Sequence, residues 1–472
     1  MSVQRKPVAF GDMRNWMKAL KAAGEIREID AEVDWNVELG TVTRMAQGPG
    51  TGPALLFKNI KDYNKNTTRC GQVFVGSIGS YRRVAMLLGL EPDTHPREIV
   101  KIGRTILEDK IPPRIVKDGP CKENIVTGKD INLYDFPVPH WNRVDGGRYV
   151  LTYGGVVTKD PTTGTMNIGI YRGMVSAKDR IPILMWRAQH IGHHVTAWQN
   201  GGSSEMPIAV AIGWEPSLAF TGGSPVPKGV CEYDVMGAIR GEPVDLVKCE
   251  TVDLYVPATS EIVIEGYLQL DPKNWDMEGP FAEFTGYVAG DKSPKPTIRV
   301  TAITHRNNPI LRGTVEGSLP GSYSENGICS SIMRASTAWN VLDRAGVAPL
   351  GRDGRIQRRR LRSPLRSRQA GHAAQQPLVR PPHQRDPPLA VPQHIGDPVP
   401  MRAFGLFRLQ RIPLGRAGAV GLAGEGDGAQ KAQRRLRPAH RRAQIHQRLG
   451  PVAGAVVADQ LSRQPCQFRA RL

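Results

Sequence analysis

Residues 277–287 read MEGPFAEFTGY, and this short segment is the most informative part of the 472-residue chain. It carries two acidic residues, Glu278 and Glu283, five positions apart around a Gly-Pro pair. In a strand, that spacing sends two side chains to opposite faces, and on a helix it leaves them more than a quarter-turn apart. Only an irregular turn, of the kind that Gly279 and Pro280 favour, brings both carboxylates into one cavity. The alternative is a surface loop with two solvated acids.

The sequence before this segment predicts an N-terminal α/β domain over residues 1–120. A helix is expected after the capping residue Asp12, because apolar residues recur at helical spacing from Met13 until Gly24. Strand and helix patterns then alternate, which is typical of an α/β domain. They lie at 54–60, 72–80, 81–90 and 96–108.

Residues 121–320 have a different character, with six or more β-rich runs and few long helical patterns. This pattern favours a barrel-like or sandwich-like β domain. Residues 321–347 then contain a helical pattern over 327–346, which ends at Gly346 and leads to a C-terminal domain. The fold class predicted from the sequence is therefore mixed α/β.

The segment 348–472 shows neither helical nor strand periodicity and lacks Trp, Tyr, Thr and Asn. Residues 351–472 hold 23 Arg and one Lys against six acidic residues, so almost all of the formal charge of +19 lies there. A basic arm that binds nucleic acid would use Lys freely. The composition therefore favours a GC-rich gene read out of frame, and no ordered core is expected.

Two further features bear on the compartment. Six cysteines are scattered without a C-x-x-C pair, which is typical of a reduced cytoplasmic enzyme. The N-terminus has no apolar signal region, and no run of about 18 apolar residues occurs. We expect a cytoplasmic protein without a transmembrane segment.

Three other stretches of the β region concentrate unusual polar residues. Asn167 and Arg172 fall on opposite faces by strand parity, so they share a pocket only if Gly169 or Gly173 marks a bulge. An exposed helix start explains the cluster of His190, His193 and His194 as well as a metal site does. A plain loop likewise explains Gly222 and Gly223, with Glu232 ten residues on, as well as a phosphate site does.

Taken in order and spacing, these polar residues resemble the UbiD family of prenylated-FMN-dependent decarboxylases. The resemblance rests on Asn167 and Arg172, on Gln189-His190, on Glu232, and on Glu278-Gly-Pro with Glu283. It extends from residues 20–30, LKAAGEIREID, to about Val347. The E-G-P-F-x-E-F-T-G-Y segment is highly specific to this family.

The resemblance implies an N-terminal α/β domain, a central split β-barrel related to flavin reductases, and a C-terminal α/β domain. It implies prenylated FMN as cofactor, held through Mn²⁺ or Mg²⁺ with K⁺ nearby. The implied metal ligands are Asn167, His190 and Glu232, and the implied catalytic network is Arg172, Glu278 and Glu283. The remaining implied cofactor-lining residues are Thr152, Ile170, Gln189, Gly222, Gly223, Ser224 and Pro225.

The implied reaction is the reversible, non-oxidative decarboxylation of an aromatic or α,β-unsaturated acid. Glu283 would deliver the proton that replaces CO₂, with Phe281 and Phe284 as an apolar wall that keeps it protonated. Glu278 would stay ionised against Arg172. Implied partners are the acid substrate, a flavin prenyltransferase as cofactor source and further copies of the chain, as a dimer or hexamer. A ubiquinone-pathway role is only the family's default label.

Nothing after about residue 348 resembles the family's C-terminal domain, which closes the substrate side of the site. If the tail is translated as written, we expect an inactive protein; if it is a reading-frame error, we expect a normal family member. Two other functions stay open. One is a flavin-binding redox protein that shares only the barrel, and the other is a nucleic-acid-binding protein acting through the tail.

Overall fold

The structure is a computed structural model that describes residues 4–48, 52–63, 68–227, 229–317 and 324–347. These residues all belong to one compact unit. The predictions for residues 348–472, including the out-of-frame reading and the basic arm, lie outside the described residues.

The described residues form eight helices and twenty strands. The helices are α1 Met13–Ala22, α2 Glu38–Gln47, α3 Tyr81–Leu87, α4 Pro96–Ile106, α5 His190–Asn200, α6 Ser217–Gly222, α7 Glu232–Arg240 and α8 Glu325–Arg344. The strands are β1 Ile26–Ile29, β2 Ala54–Phe57, β3 Gln72–Val75, β4 Arg114–Val116, β5 Asn124–Thr127, β6 Tyr149–Leu151, β7 Gly155–Lys159, β8 Met166–Gly169, β9 Gly173–Met174, β10 Arg180–Pro182, β11 Glu205–Ile212, β12 Asp245–Lys248, β13 Tyr255–Pro257, β14 Ile262–Gln269, β15 Asp276–Glu278, β16 Phe281–Ala282, β17 Val288–Ala289, β18 Ser293–Lys295, β19 Thr297–His305 and β20 Ile310–Arg312. This content confirms the predicted mixed α/β class.

Helix α1 begins as the sequence predicts. The carboxylate of Asp12 accepts a hydrogen bond from the backbone N–H of Asn15, which satisfies one of the free donors at the helix start. Met13, Trp16 and Leu20 lie on one face at helical spacing and are buried. The helix therefore packs through the apolar stripe that the sequence shows.

The N-terminal residues form a four-stranded sheet in the order β1-β2-β3-β20. Strand β20 comes from the far end of the β region and runs parallel to β3. Conversely, β4 leaves the N-terminal region and pairs in parallel with β12. Each region thus contributes one strand to a sheet of the other, so the two are joined by backbone hydrogen bonds as well as by packing.

The centre of the β region is a seven-stranded antiparallel sheet in the order β10-β19-β14-β11-β7-β8, with β5 also paired to β19. The register of β14 against β19 shifts between Glu265 and Gly266. A side chain at Gly266 would lie 2.2 Å from the carbonyl oxygen of Arg299, so this bulge requires glycine. Alternate residues of β11 and β14 enter two different apolar cores.

Helix α8 confirms the helix predicted over residues 327–346, although it starts and ends two residues earlier. Ser324 caps it by accepting from the N–H of Gly327. The hydroxyl of Ser336 donates to the carbonyl of Val100, and Asn340 donates to that of Arg104. These bonds fix α8 along α4. None of the helices in the described part of the chain is long and apolar enough to span a bilayer.

Candidate active site

Two short strand pairs flank the turn between the two acids. Glu278 ends β15, which pairs with β18, and β16 pairs with β17 just before Glu283. Between them Gly279 has φ of +95°, a backbone region that strongly favours glycine. The carbonyl of Pro280 accepts from the N–H of Gly146 at 2.7 Å. The turn that the sequence suggested therefore exists, and it is anchored to residues near β6.

Arg172 brings the two acids into one site. One guanidinium nitrogen, Nη1, donates to Glu283 Oε1 at 2.6 Å, and Nη2 donates to Glu278 Oε2 at 2.9 Å. Nε lies 2.9 Å from Glu278 Oε1, an ion-pair contact without hydrogen-bond geometry. Such charge-assisted contacts are shorter and stronger than neutral ones. The sequence-predicted residues Arg172, Glu278 and Glu283 thus lie together.

The position of Arg172 follows from a break in the strand. Strand β8 ends at Gly169, and the chain leaves the large sheet before β9 begins at Gly173. A side chain at Gly169 would lie 2.4 Å from the ring of Tyr171, so the turn closes too tightly for one. Strand parity, which separated Asn167 from Arg172 in the sequence, does not apply across this break.

Glu278 is fully buried, with a side-chain exposure of 0%, and its carboxylate is well supplied with donors. The hydroxyl of Tyr149 donates to Oε1 at 2.7 Å, in addition to the contacts from Arg172. The ring of Phe281 packs on Tyr149, and its centroid lies 5.3 Å from the Arg172 guanidinium. Glu278 is therefore the more deeply buried and the more extensively hydrogen-bonded of the two acids.

Glu283 has different surroundings, because its side chain remains 24% exposed. It accepts from Arg172, and Phe281 packs beside Arg172 and Tyr149. The ring of Phe284 lies 5.6 Å from the Arg334 guanidinium. Glu283 is thus an acceptor in an ion pair here.

The charges of the site shift the pKa values of its other members. Burial alone would lower the pKa of Arg172, but the hydrogen bond and charge of Glu278 and the charge of Glu283 raise it overall. Burial, followed by the charge of Glu278, raises the pKa of Tyr149 far above its ordinary value, so the hydroxyl stays a donor. Burial and the charge of Arg172 lower the pKa of Lys295, against an opposing effect of Glu278.

A second polar cluster joins Asn167 of β8 to the first residues of two helices. Asn167 Oδ1 lies 2.9 Å from His190 Nδ1, and His190 Nδ1 lies 3.8 Å from Glu232 Oε1. The other carboxylate oxygen of Glu232 accepts from the N–H of Ile168 at 2.8 Å. All three predicted ligands therefore present an oxygen or nitrogen to one small volume.

Asn167 and His190 of this cluster line a cavity of about 310 Å³. His190 and Glu232 are the first helical residues of α5 and α7, and the side chains of the N-cap residues Gln189 and Cys231 make no capping hydrogen bond. Backbone N–H groups at the start of a helix favour a nearby anion. The cavity is also lined by Asp160, Thr163, Thr165, Met166, His193, His194, Thr196, Ala197, Asn200, Gly229 and Val230.

The other predicted cofactor-lining residues lie around these two clusters or bond to nearby backbone. Gln189 precedes His190 and accepts from the N–H of Trp186, and Thr152 accepts from the N–H of Thr314. A side chain at Gly222 would approach Ile170 at 3.3 Å, so the end of α6 lies directly beside the turn after β8. Gly223 follows as the helix cap, the Ser224 hydroxyl donates to the carbonyl of Phe220, and Pro225 is exposed.

The histidine stretch does not act as one group. His193 is exposed, while His194 is buried with its ring bonded to the Thr158 hydroxyl. Burial lowers the pKa of His194 below its ordinary value. Of the three, only His190 is within 4 Å of both Asn167 and Glu232 among the described residues.

Sequence reasoning missed several residues that support the site. Tyr149 orients Glu278, Lys295 adds a positive charge, and Asp145 accepts from the N–H of Ala282. Glu316 also lies beside Glu283, in a segment more than thirty positions along the chain. No local motif marks these residues, because they reach the site from separate elements that only the fold brings together.

Comparison with known proteins identifies the class. Residues 114–319 match the model described as the 3-octaprenyl-4-hydroxybenzoate carboxy-lyase Rift-related domain, and residues 17–102 match the N-terminal domain of the same carboxy-lyases. The chain belongs to the UbiD family.

Two curated relatives show how far the similarity extends. Ferulic acid decarboxylase 1 of Saccharomyces cerevisiae is 37% identical over 309 residues, 64% of this chain and 61% of that protein. Pyrrole-2-carboxylic acid decarboxylase of Pseudomonas aeruginosa is 33% identical over 340 residues, 71% of this chain and 67% of that protein. The chain thus spans about three-fifths to two-thirds of the length of these relatives.

Solved structures of decarboxylases and UbiD-class enzymes are also similar to this chain. The closed form of vanillic acid decarboxylase from Sedimentibacter hydroxybenzoicus is 30% identical with a TM-score of 0.66, covering 72% of this chain and 71% of that one. An evolved dimeric form of the UbiD-class enzyme HmfF from Pelotomaculum thermopropionicum, in complex with prFMN, is 29% identical with a TM-score of 0.63. It covers 71% of this chain and 73% of that one.

Proposed function

We propose that this chain is a carboxy-lyase that removes CO₂ from an aromatic or α,β-unsaturated carboxylic acid, reversibly and without net oxidation, using prenylated FMN. Membership in the UbiD family and the decarboxylase names of its relatives support the reaction class. The observation that carries the proposal is the buried Arg172 guanidinium between Glu278 and Glu283. A purely redox flavoprotein has no use for a proton-carrying acid held against an arginine.

The second polar cluster fits the tethering of a flavin phosphate through a divalent ion. Asn167, His190 and Glu232 offer one amide oxygen, one imidazole nitrogen and one carboxylate oxygen, a donor set that suits Mn²⁺ or Mg²⁺. The amide nitrogen of Asn167 is buried without a hydrogen bond in the described part of the chain, as expected of a side chain whose oxygen faces a ligand. The starts of α5 and α7 supply N–H groups for the phosphate. K⁺ is proposed as a further ion close to the divalent ion, by resemblance alone.

The proposed roles of the acids follow from their surroundings. The bound flavin supplies an electron sink for the charge that the departing CO₂ leaves behind. Arg172, fixed by Glu278, orients the substrate carboxylate and stabilises negative charge in the site. Glu283, the partly exposed acid, delivers a proton to the carbon that has lost CO₂. In the reverse direction Glu283 accepts that proton.

The proposed setting of the enzyme rests on its composition and its family. We propose a cytoplasmic homo-oligomer that receives its cofactor from a flavin prenyltransferase; the chain is not proposed to bind nucleic acid. Its substrate is an aromatic, heteroaromatic or cinnamic-type acid, since relatives are named for ferulic, phenolic and pyrrole-2-carboxylic acids. Ubiquinone biosynthesis is one setting in which such a reaction occurs.

The test is anaerobic reconstitution of the full chain with prenylated FMN and Mn²⁺, followed by incubation with a panel of such acids. Release of CO₂ and appearance of the decarboxylated product are the expected results. Oxidation of NAD(P)H without CO₂ release would instead support a flavin-dependent redox protein. Flavin binding without either reaction would contradict the proposal for the chain as it stands.

A further inference from the structure

Glu316 lies in a segment that is bonded directly to the one carrying Glu283. The N–H of Gly317 donates to the carbonyl of Glu283 at 2.9 Å. A side chain at Gly317, where φ is +76°, would lie 2.5 Å from that of Ala282. The residues after β20 and the residues after β16 are therefore in close backbone contact, and Glu316 is at that contact.

The carboxyl group of Glu316 is buried near the Ser324 hydroxyl, and no cation is bonded to it among the described residues. The residue is 4% exposed, and neither side-chain oxygen has a hydrogen bond within the described ranges. Arg44 is a cationic neighbour, but its guanidinium donates to the carbonyls of Glu316 and Gly317 and to Asn142. Its hydrogen bonds therefore do not reach the Glu316 carboxyl.

An ionised carboxylate in such surroundings is strongly disfavoured. Burial, followed by the negative charges of Glu283 and Glu325, raises the pKa of Glu316 well above its ordinary value. The Ser324 hydroxyl and Arg44 lower it by smaller amounts. Glu325 itself is committed elsewhere, because it accepts from Arg312 and from the backbone N–H groups of Gly76 and Ile78.

The neighbouring acid Glu283 has the opposite character. It accepts a charge-assisted hydrogen bond from Arg172, an arrangement of a carboxylate rather than of a carboxylic acid. The proposed reaction needs a proton on Glu283 once substrate covers the site and excludes water. Glu316 is the neighbouring acid whose burial favours the protonated form.

We propose that Glu316 stores the proton that Glu283 delivers. The step requires the carboxyl groups of Glu316 and Glu283 to come into hydrogen-bonding contact during turnover. The O–H bond of Glu316 then breaks, an O–H bond forms on Glu283, and Glu283 gives its proton to the carbon vacated by CO₂. After product leaves, the partly exposed Glu283 takes a proton from water and returns one to Glu316. This inference rests on the proposed function, and Glu316 acts only through Glu283, so it is not itself a catalytic residue.

The first test needs no activity. Infrared spectroscopy of the full chain at neutral pH is expected to show the C=O band of a protonated carboxylic acid, shifted in D₂O. Glu316→Gln should remove one component of the band, whereas Glu91→Gln, which changes an exposed acid, should not. Glu215, whose pKa burial raises to about 7, is expected to contribute a separate component that both variants retain. Glu283→Gln removes a like charge next to Glu316, so the band should disappear at a lower pH than in the wild type.

The second test measures turnover by the reconstituted chain. Glu316→Gln should lower kcat about 10- to 100-fold, with unchanged KM and unchanged flavin absorbance, because protonation becomes limiting. In Glu316→Gln, the pH profile of kcat should lose the ionisation that belongs to Glu316. Glu316→Asp, which keeps a carboxyl group, should recover part of the rate. A purely structural role would lower thermal stability without changing the pH profile.

The outcomes separate the two proposals. If the wild-type chain releases no CO₂, the proposed function fails, whatever the infrared result. If the wild type is active but Glu316→Gln keeps the wild-type kcat and pH profile, only the proton store is overturned. If Glu316→Gln does not fold, a shift of the infrared band to lower pH in Glu283→Gln still supports the proposal that Glu316 stores a proton. Absence of any band of a protonated carboxylic acid in the wild type would reject that proposal.

Discussion

The two polar clusters on either side of the break between β8 and β9 are built differently. Around Arg172, the carboxylates, the guanidinium and the Tyr149 hydroxyl bond to one another, so that cluster is largely complete within the protein. Around Asn167 and Glu232, donor atoms converge at distances up to 3.8 Å beside an open cavity. The first cluster is closed by its own hydrogen bonds, whereas we propose that the second is completed by a ligand.

The comparison makes its strongest prediction at Glu283. Glu283→Gln keeps the size of the side chain and a hydrogen bond to Arg172 but removes the acid. We expect decarboxylation to fall by about 10³-fold or more, the range in which general acid catalysis contributes. Flavin absorbance and bound metal should be unchanged, because the second cluster does not include this residue.

Headspace CO₂ and product quantification under single-turnover conditions measure this effect. Glu91→Gln serves as the control for the loss of an acid elsewhere on the chain. Turnover at the wild-type rate in Glu283→Gln would remove Glu283 from the reaction, and loss of flavin in that variant would show that the two clusters are not independent.

The second prediction concerns Arg172, which holds the first cluster together. Arg172→Met leaves Glu278 buried with a charge and without its main partner. Breaking a buried pair in this way should lower the free energy of unfolding by about 3 kcal/mol. Arg172→Lys should lose less stability but most of the activity, because one ammonium cannot bridge two carboxylates in the same geometry.

Urea unfolding monitored by circular dichroism gives the stability of both variants. The double variant Arg172→Met, Glu278→Leu should recover most of the loss, since it also removes the unpaired charge. An Arg172→Met protein as stable as the wild type would mean that the first cluster is not a coupled unit.

The third prediction concerns the open cluster. Glu232→Gln keeps an acceptor for the N–H of Ile168 but removes the charge that faces His190. We expect at least about tenfold weaker binding of Mn²⁺, by analogy with the loss of groups that support metal ligands. Because the glutamine keeps the acceptor for the N–H of Ile168, the stability of the metal-free protein should hardly change.

Calorimetric titration of the metal-free chain with Mn²⁺ measures the affinity. His193→Gln is the matched control, since His193 lines the same cavity but is exposed and was not assigned as a ligand. Equal affinity in wild type and Glu232→Gln, or equal losses in both variants, would contradict the assignment of Glu232.

The two clusters also differ in how far the sequence predicted them. Helix α1, the alternating strands and helix α8 follow from periodicity and capping residues, which are local signals. The Gly-Pro turn between Glu278 and Glu283 was also local enough to identify as irregular. That both acids contact Arg172 was expected only from the family resemblance. The position of Arg172 depends on a strand break more than a hundred positions before the acids, and no local pattern connects the two segments.

Some parts of the site had no sequence signal. Strand parity separated Asn167 from Arg172, and only the early end of β8 removes that obstacle. Phe281 and Phe284 were assigned as an apolar wall for Glu283 because they are adjacent in sequence, yet the structure places Phe281 on Tyr149 and Phe284 near Arg334. Glu316 was not identified from the sequence. Its distinguishing feature is a buried carboxyl group without a hydrogen bond among the described residues, and such a feature depends on the fold.

The smallest expected effect tests how complete the first cluster is. Tyr149→Phe removes one hydrogen bond to Glu278 while both Arg172 contacts remain. A buried acceptor that loses one of several donors should lower the free energy of unfolding by about 1–2 kcal/mol, measured by urea unfolding. Decarboxylation should fall only a few-fold, with KM rising more than kcat falls, because Arg172 is held less firmly but Glu283 still carries the proton. A loss of activity as large as in Glu283→Gln would mean that Tyr149 takes part in proton transfer. The proposed roles, with Glu278 orienting Arg172 and Glu283 delivering the proton, would then be wrong.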